Sequence, residues 1–380
     1  MYRGGGEAVC VQTIEALKGD YDVTLMTVGE EIDFAKLNDY FGTSLGAEEV
    51  DVLFLDTHPI KEIRAVLKYI SDALPFDTEL LRLKTGISDR KVSKLRGEYD
   101  LLISTQCETP FQKGVIDYIH FPFHPESAEK YGSDLEYNRG MPFYSLYDRL
   151  VDYLRPKGGD GDGEKSVLVN SQWTGEVVTE AYGLQSRVLY PPVRIGDFSA
   201  PPLSQREDGI VCVGRVETNK RILRNIEIID ELNEDYDLHL HVVGNISDTT
   251  YGRQVKERAR GKSYIQLEGR VPRERLIEII ESHKFGIHGM DAEHFGIAVA
   301  EMVAGGCISF VPNDGGQVEI VGENPDLVYE DKGDAVAKIS RMLDNPDLQA
   351  STRSKLEGRE ELFSAERFKK EMAEIVAEEV

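Results

Sequence analysis

The chain contains few residues of several kinds, and each shortage excludes a class of protein. Its 380 residues include only four cysteines, which are far apart and lie within or beside apolar segments. This spacing excludes a disulfide or zinc framework and predicts reduced, buried thiols in a cytosol. No stretch approaches the ~20 apolar residues of a membrane-spanning helix, and the first residues lack the apolar core of a signal peptide. We therefore expect a soluble cytoplasmic protein.

Basic residues are also scarce relative to acidic ones. The chain has 44 lysines and arginines against 68 aspartates and glutamates, a formal net charge of −24 that is spread along both halves. Such a charge excludes nucleic acid as a partner and weakens any general attraction to anionic lipid. One explanation is a high-salt cytosol, in which the Debye length falls to about 3 Å or less and dense acid no longer repels itself.

Apolar runs typical of strands alternate with helical patterns along the whole chain. The predicted strands of the first half are 23–27, 50–55, 99–104, 115–120, 166–169 and 188–190. A proline-rich connection, 191–202, precedes a second series at 210–213, 238–243, 264–268, 285–288, 308–311 and 327–329. Helices are predicted at 7–17, 174–182, 221–232, 273–282 and 297–304. This alternation predicts an α/β protein with two doubly wound parallel sheets in tandem.

The chain opens on a glycine-rich turn followed by a helical pattern, Gly4–Gly6 and then 7–17. Such a turn normally follows the first strand of a doubly wound sheet. We therefore expect either a first domain that lacks its first strand or a true start upstream. The predicted domains are 1–195, 196–361 and a C-terminal helical segment, 362–380, that returns to the N-terminal domain.

The first candidate site follows a predicted strand and opens a predicted helix. Gly214 at the strand end would let a ligand approach the backbone. Arg215 and Lys220 are five positions apart and can converge on one diphosphate, with charge-assisted hydrogen bonds worth about 1.5–3 kcal/mol each. A solvated basic turn is the alternative interpretation of this motif taken alone.

The second candidate site is a pair of glutamates around a Phe-Gly step. Glu293 and Glu301 are eight positions apart, and Gly296 lies at the entry to a predicted helix. The N–H groups of Phe295, Gly296 and Ile297 would point toward a ligand from a helix end that favours phosphate. Glu293 can then reach a sugar, and Glu301 can accept from ribose hydroxyls. The alternative is an amphipathic helix with two incidental glutamates, although apolar neighbours favour burial.

A third motif, 315–319, places a Gly-Gly turn after a predicted strand, on the ligand-binding edge of an open α/β sheet. Together with residues 214–220 and 293–301, it resembles the donor-site signature of glycosyltransferase family 4, a retaining family with the GT-B fold. Within that family, three further stretches resemble the dolichol-linked-oligosaccharide α-1,2-mannosyltransferases, namely 118–122, 169–174 and 286–296.

The resemblance implies roles for the residues of the donor half. Arg215 and Lys220 would hold the diphosphate of a GDP- or UDP-linked sugar as it leaves. Glu293 would contact the donor hexose, with mannose as one candidate, and Glu301 the ribose. The family uses no cofactor or divalent metal, because cationic side chains and the helix end at Phe295–Ile297 neutralise the leaving group.

The resemblance also implies roles in the N-terminal half. Gly5 and Gly6 match a glycine-rich loop that approaches the donor phosphates and the acceptor. His120 matches a histidine close to the transferred sugar. The implied fold is GT-B, two Rossmann-like domains facing a central cleft, and the implied acceptor is a glycan or a polyprenyl-linked molecule.

Two departures from the family pattern leave the fine donor specificity open, and the apparent lack of a first strand leaves other functions open. Residues 304–308 lack the usual proline, and Asp314 replaces a small residue before the two glycines. A catalytically silent sugar-nucleotide-binding protein on the same fold is the main alternative. A sugar phosphorylase or an epimerase of the same shape is another.

Two further signals carry no assigned role. His239 and His241 share one face of a predicted strand, but a pair without a third ligand is typical of a structural role, so no metal site is predicted. The aromatic-rich segment 141–155 could rest on a membrane surface as a peripheral contact or pack against its own domain, and packing is favoured.

The acidic composition yields a first testable prediction. If the charge is an adaptation to salt, stability and any activity rise with potassium chloride concentration, because screening relieves repulsion among the 68 acidic side chains. Thermal unfolding midpoints measured across a salt series check this. Maximal folding and activity in dilute buffer would contradict the prediction.

Overall fold

The computed structural model describes residues 4–28, 31–55, 81–106, 108–122 and 165–380, together with residues 127, 130, 131, 149, 151, 153 and 156. The chain divides into two compact units. The first comprises Met1–Val169, Gly175–Leu189 and Lys369–Val380, and the second comprises Asn170–Thr174 and Tyr190–Phe368. The main division thus lies six residues before the boundary predicted at 195/196, and the last residues of the chain group with the first unit.

In its described residues, the first unit contains two parallel sheets and several helices. Its first elements are Gly5–Leu17 (α1), Thr24–Thr27 (β1), Phe34–Phe41 (α2), Asp51–Phe54 (β2) and Leu81–Leu95 (α3). They are followed by Leu102–Ser104 (β3), Val115–Ile119 (β4), Ser166–Val169 (β5), Gln172–Tyr182 (α4) and Arg187–Val188 (β6). Strands β1 and β2 form one pair, and β3 to β6 form a sheet in sequential order. All these pairings are parallel.

The second unit contains one six-stranded parallel sheet. Its strands are Glu207–Val213 (β7), His239–Val243 (β8), Ile265–Gly269 (β9), His283–Ile287 (β10), Ile308–Pro312 (β11) and Val328–Tyr329 (β12). Its helices are Ile222–Leu232 (α5), Thr250–Ala259 (α6), Arg273–Ser282 (α7), Ile297–Ala304 (α8), Gln317–Ile320 (α9), Lys332–Leu343 (α10) and Pro346–Leu356 (α11). A last helix, Ala365–Glu379 (α12), begins in this unit, and its residues from Lys369 onward group with the first unit.

The strand order of this sheet identifies the edge at which a ligand would bind. The order is β12–β11–β10–β7–β8–β9, the 3-2-1-4-5-6 arrangement of a doubly wound sheet when it is read from β9. The chain reverses its direction of winding between β7 and β10. Ligands of such sheets bind at the carboxyl ends of the strands at this switch point.

The sheet is covered on both faces, and this explains its sequence pattern. All five residues of β11 are buried, and four of the five in β8 are buried, as expected for parallel strands between two helical layers. Helix α5 buries Ile222, Ile226 and Ile229 at helical spacing. The predicted continuous apolar runs are therefore the core of this unit.

Several predicted boundaries are wrong for local reasons. Strand β10 begins at His283 rather than at 285, because α7 ends at Ser282 and the next residue is already extended; a buried histidine does not belong to an apolar run. Helix α4 begins at Gln172 rather than at 174, since a distant carboxylate caps its first N–H groups. Strand β3 begins only at Leu102, after a 3-10 turn at Arg96–Glu98.

The cysteine and membrane predictions are tested only within the described residues. There, Cys10, Cys212 and Cys307 are free thiols, while Cys107 and most of the aromatic segment 141–155 lie outside the described residues. Across the part of the chain that the structure describes, we find no helix with both the length and the apolar content to cross a membrane.

A buried ion pair fixes β4, the strand that ends just before His120. The Lys165 ammonium lies 2.8 Å from Asp117 Oδ2, and the two side chains are 8% and 0% exposed. The same carboxylate oxygen accepts the N–H of Thr109 at 2.9 Å, and Lys165 donates to the Thr109 carbonyl at 3.0 Å. Burial raises the pKa of Asp117, although Lys165 and Thr109 oppose this rise. The pair thus holds the loop that follows β3 against β4.

Removing one member of this pair tests its role. Lys165→Met leaves a buried carboxyl without its cation, and we expect it to lower the free energy of unfolding by about 3–5 kcal/mol. The double variant Lys165→Met/Asp117→Leu is expected to recover most of this loss, because it removes both charges. Urea unfolding followed by circular dichroism measures the three stabilities. A single variant as stable as the wild type would contradict the assignment.

Candidate functional site

The loops after β7 and β8 meet at the carboxyl edge of the second sheet. The Gly214 N–H donates to the Val243 carbonyl at 2.9 Å, and the Val216 N–H donates to the Asn245 carbonyl at 2.9 Å. A Cβ on Gly244 would lie 1.8 Å from the Gly214 carbonyl oxygen, so only glycine permits this approach. The loop that carries Arg215 and Lys220 is therefore held in place by backbone contacts.

Lys220 and Glu293 form a partly buried ion pair across the switch point. Lys220 follows β7, Glu293 follows β10, and the Lys220 Nζ lies 2.6 Å from Glu293 Oε2. The same carboxylate oxygen is 3.1 Å from His288 Nε2, and Lys220 also contacts the Met290 sulfur at 3.2 Å. The lysine and glutamate side chains are 19% and 14% exposed, so one face of the pair remains accessible.

The electrostatics keep Glu293 ionised. Burial alone would raise the pKa of its carboxyl, but Lys220 and the hydrogen bond from His288 outweigh burial and hold this pKa well below its usual range. Burial lowers the pKa of His288, and Glu293 only partly offsets this effect. The stable arrangement at neutral pH is therefore a charged lysine, a charged glutamate and a neutral histidine that donates from Nε2.

Arginines on the same loops are paired with other carboxylates. Arg224, in the first turn of α5, lies 2.8 Å from Asp291 Oδ1 and also donates to the Gly289 carbonyl. Arg221 lies 3.6 Å from the same aspartate. Arg215 is 68% exposed and pairs with Glu217 at 2.8 Å. The structure thus places Arg215 and Lys220 on one loop, each with a carboxylate of its own.

Glu301 belongs to a second, partly buried network. Its carboxylate accepts a hydrogen bond from Arg273, which also donates to Asp197 Oδ2 at 3.0 Å. Arg194 lies 3.0 Å from the same aspartate oxygen. Burial raises the pKa of Glu301, and Arg273 opposes this rise. Arg273 therefore orients the glutamate for which we predicted a contact with ribose.

Gly296 lies at the entry to α8, as the sequence predicts. Its φ of 106° is in the region that favours glycine, and the first helical residue is Ile297. Phe295 is buried, with its ring 5.9 Å from Tyr190 and 5.4 Å from Phe363 between centroids. The side chain of Phe295 is thus part of the core, and its predicted role at a ligand concerns the backbone N–H only.

The Gly-Gly turn packs on the backbone of Glu293. Gly315 pairs with Glu293 in an isolated parallel bridge, and the Gly316 N–H donates to the Glu293 carbonyl at 2.8 Å. A Cβ on Gly315 would lie 2.4 Å from that carbonyl oxygen. The turn therefore fixes the position of Glu293 through main-chain contacts.

Glu319, at the end of the same motif, caps helix α4. Its two carboxylate oxygens accept the N–H groups of Gln172 and Trp173 at 3.0 Å each, and the Tyr190 hydroxyl donates to it at 2.9 Å. These contacts all lie within the second unit, which includes residues 170–174. A carboxylate at a helix N-terminus is favoured by the helix dipole.

In the first unit, the structure brings Gly6 and His120 together. A Cβ on Gly6 would lie 3.5 Å from His120 Nε2, which contacts the Thr105 carbonyl at 3.0 Å. Burial lowers the pKa of His120 to about 4, although the Thr105 carbonyl opposes this. The imidazole is therefore neutral at pH 7. Gly5 is the first residue of α1, next to this contact.

Sequence patterns missed the partners of the two glutamates. His288 lies in the stretch 286–296, which resembles the family, but the sequence predicts no role for it. The sequence predicts no role for Arg273 or Asp197 either. Their signal is weak, since each is a single polar residue outside any glycine-rich motif. His288 lies five positions before Glu293, and it is recognisable only when the strand end is located.

Comparison with known proteins agrees with this geometry. The family described as Glycosyl transferases group 1 matches residues 196–359. A GDP-Man:Man(3)GlcNAc(2)-PP-Dol alpha-1,2-mannosyltransferase of Dictyostelium discoideum is 23% identical over 209 residues, which are 49% of this chain and 40% of that protein. The human protein of the same name is 25% identical over 227 residues, 53% of this chain and 46% of that protein. The chain thus spans less than half the length of these relatives.

Solved structures show the same fold. Anabaena Alr3699/HepE in complex with UDP and glucose has a TM-score of 0.66 and 13% identity, covering 99% of this chain and 97% of that one. A glycosyltransferase from Rickettsia africae ESF-5 has a TM-score of 0.63 and 16% identity, covering 97% and 93% of the two chains. The predicted GT-B fold is confirmed, and the match to the family described as Glycosyl transferases group 1 is confined to residues 196–359.

Proposed function

We propose that this protein is a retaining glycosyltransferase of family 4 that moves a hexose from a nucleotide-sugar to a glycan or a polyprenyl-linked acceptor. The observation that carries the proposal is the partly buried Lys220–Glu293 pair at the switch point of the second sheet. Mannose from GDP is the first candidate, because curated relatives are named GDP-mannose-dependent mannosyltransferases. A UDP-linked donor is the second, because a structural neighbour holds UDP and glucose.

Stabilisation of the leaving group is the main task of the proposed reaction. When the bond between the sugar and the diphosphate breaks, negative charge grows on the diphosphate. Lys220 has three N–H bonds, and its contacts with Glu293 and Met290 use two of them. The third can donate to a phosphate oxygen, and exposed Arg215 can add a second cation. Preorganised charge of this kind is usually the largest catalytic contribution, and the family resemblance implies that no divalent metal takes part.

The two glutamates have different proposed partners. Glu293 would contact the hexose near its reacting carbon, and its low pKa keeps it an anion that can stabilise developing positive charge there. Glu301, oriented by Arg273, would accept from the ribose hydroxyls. Its second oxygen is the acceptor for this contact, because Arg273 occupies the first.

The residues of the first unit would serve the acceptor side. His120 is a neutral imidazole at pH 7, which can exchange hydrogen bonds with sugar hydroxyls without a charge. Gly5 and Gly6 would let the substrate approach the backbone at the start of α1. We place the reaction in the cytoplasm or, peripherally, at the inner face of a membrane, since a polyprenyl-linked acceptor would be there.

The second candidate function is a catalytically silent protein that binds a nucleotide-sugar on the same fold. The two functions differ in product formation. Purified protein is incubated with labelled GDP-mannose or UDP-glucose and a lipid extract. A transferase is expected to give labelled product and to release a matching amount of nucleoside diphosphate, whereas a silent binding protein gives neither. Both functions predict that the donor binds with an affinity measurable by calorimetry.

Substitution of Lys220 is the most direct test. Lys220→Met removes the cation nearest the proposed leaving group, and we expect turnover to fall about 100- to 1,000-fold. Lys284→Met is a matched control, because Lys284 is also ion-paired with a carboxylate, Asp208, but at the amino end of β10. The control is expected to keep wild-type turnover. Normal turnover in Lys220→Met would overturn the proposed role.

Two conservative variants distinguish the proposed roles of Glu293 and Glu301. Glu293→Gln is expected to slow transfer while leaving nucleotide affinity within a fewfold of wild type. Glu301→Gln is expected to weaken nucleotide affinity about 10- to 100-fold, the equivalent of one charge-assisted hydrogen bond. Steady-state kinetics and calorimetry with the nucleoside diphosphate measure the two effects. The reverse pattern would exchange the two assignments.

A further inference from the structure

Three histidines meet at the amino edge of the second sheet. His239 begins β8, His241 lies two residues further along the same strand, and His283 begins β10. Each offers a ring nitrogen, and these nitrogens all lie within 4.8 Å of one another. We refer to these three residues as the histidine cluster. The sequence indicated only the first two, and strand pairing supplies the third.

The hydrogen bonds of two rings direct their Nε2 atoms into the cluster. His283 Nδ1 lies 2.6 Å from the Ile279 carbonyl, and His241 Nδ1 lies 2.8 Å from Glu268 Oε1. Both oxygens can only accept, so each Nδ1 carries the hydrogen and each Nε2 keeps its lone pair. An imidazole oriented by a carbonyl or carboxylate in this way is the usual arrangement of a metal-binding histidine.

A glycine provides the space in which the rings meet. Strand β7 runs between β8 and β10, and its Gly209 pairs with His239. A Cβ on Gly209 would lie 2.1 Å from His239 Nε2. His239 Nε2 is also 3.1 Å from His283 Nε2. Nitrogen ligands at about 2.0–2.1 Å from a tetrahedral zinc ion lie roughly 3.3 Å from one another, so this pair is already at ligand spacing.

Charge and exposure fit a cation. His241 and His283 are buried, whereas 25% of the His239 side chain is exposed, which provides a path for entry. A carboxylate is within reach, since Glu207 Oε2 lies 3.3 Å from His239 Nε2.

We propose that the histidine cluster binds one divalent transition-metal ion, with zinc as the first candidate. Three imidazoles with a carboxylate or a water molecule make a four-coordinate site that suits zinc and also accepts nickel, copper or cobalt. Glu207 or a water molecule would be the fourth ligand. Small side-chain rotations would bring the third nitrogen to ligand distance.

The proposed ion is structural and not catalytic. Strands of five to seven residues separate the cluster from the loops that carry Lys220 and Glu293, a distance on the order of 13–20 Å. The ion would instead join β8 to β10 across β7, the strands around the switch point. Binding to the folded state alone raises stability by mass action.

Zinc binding to the intact chain is the test. The protein is purified without a polyhistidine tag, treated with a chelator and titrated with zinc chloride against a chromogenic chelator. We expect one equivalent to bind with a micromolar or lower dissociation constant. At a hundredfold excess over this constant, the thermal midpoint is expected to rise by about 5 °C. Cobalt(II) is expected to give the strong visible absorption of a four-coordinate ion.

Variants distinguish zinc binding at the histidine cluster from nonspecific zinc binding to acidic side chains on the surface. His239→Gln removes the most exposed ligand, and Gly209→Ala fills the space in which its ring lies. We expect each variant to lose stoichiometric zinc binding. Glu268→Gln, which loses the orientation of His241, is expected to weaken affinity about 10- to 100-fold. Asp208→Asn removes one negative charge at the same edge without touching the cluster, and it is expected to bind zinc as the wild type does.

Three outcomes would overturn the proposal. They are the absence of stoichiometric binding to the wild-type chain, unchanged affinity in His239→Gln, and cobalt absorption typical of a six-coordinate ion. The cobalt spectrum needs no variant, so the proposal remains testable if a substituted chain does not fold.

Discussion

The ion pair between Lys220 and Glu293 is the interaction on which the site in the second unit depends. Two opposite charges with little exposure to solvent are stable only when they pair with each other and further hydrogen bonds occupy their remaining donors and acceptors. Met290 and His288 supply these further contacts. The backbone segments that carry Lys220 and Glu293 are themselves held by main-chain contacts at glycines. Gly214 and Gly244 allow the loops after β7 and β8 to touch. The Gly315–Gly316 turn holds the main chain of Glu293 from the other side. The charges are therefore positioned by glycine-mediated backbone contacts rather than by side-chain packing.

The parallel sheet separates two kinds of chemistry. At the carboxyl ends of β7 and β10, charged side chains converge on accessible loops, as expected at a switch point. At the amino ends of β8 and β10, three imidazoles converge over Gly209 of β7. Both arrangements follow from the reversal of winding, which places strands that are distant in sequence side by side. The core between the two edges is apolar on both faces, so neither edge perturbs the other through a direct contact.

The sequence predicted the motifs of the site better than the contacts among them. Strand and helix positions follow from apolar periodicity, which is strong in a sheet buried on both faces, and the boundaries fail where a buried polar residue such as His283 interrupts the pattern. Glu293, Lys220 and Gly296 were identified because glycines and charges at strand ends have a chemical meaning that a sequence displays. The sequence did not identify Arg273, His288 or the third histidine of the cluster. Strand order and side-chain direction bring these residues to their partners, and a single sequence contains neither kind of information. The cap on α4 by Glu319 has the same origin, since the two are almost 150 positions apart.

The pairing of each cation with a carboxylate has a consequence for selectivity among anions. Arg215, Lys220 and Arg224 each hold a carboxylate of the same chain, so the loops already contain their own counterions. A small anion such as inorganic phosphate must compete with these tethered carboxylates, and it brings no other binding energy to the exchange. A larger ligand can compensate through its base and sugar. If the loops bind a diphosphate as proposed, the tethered carboxylates would therefore favour a ligand that makes contacts along its whole length over small cellular anions.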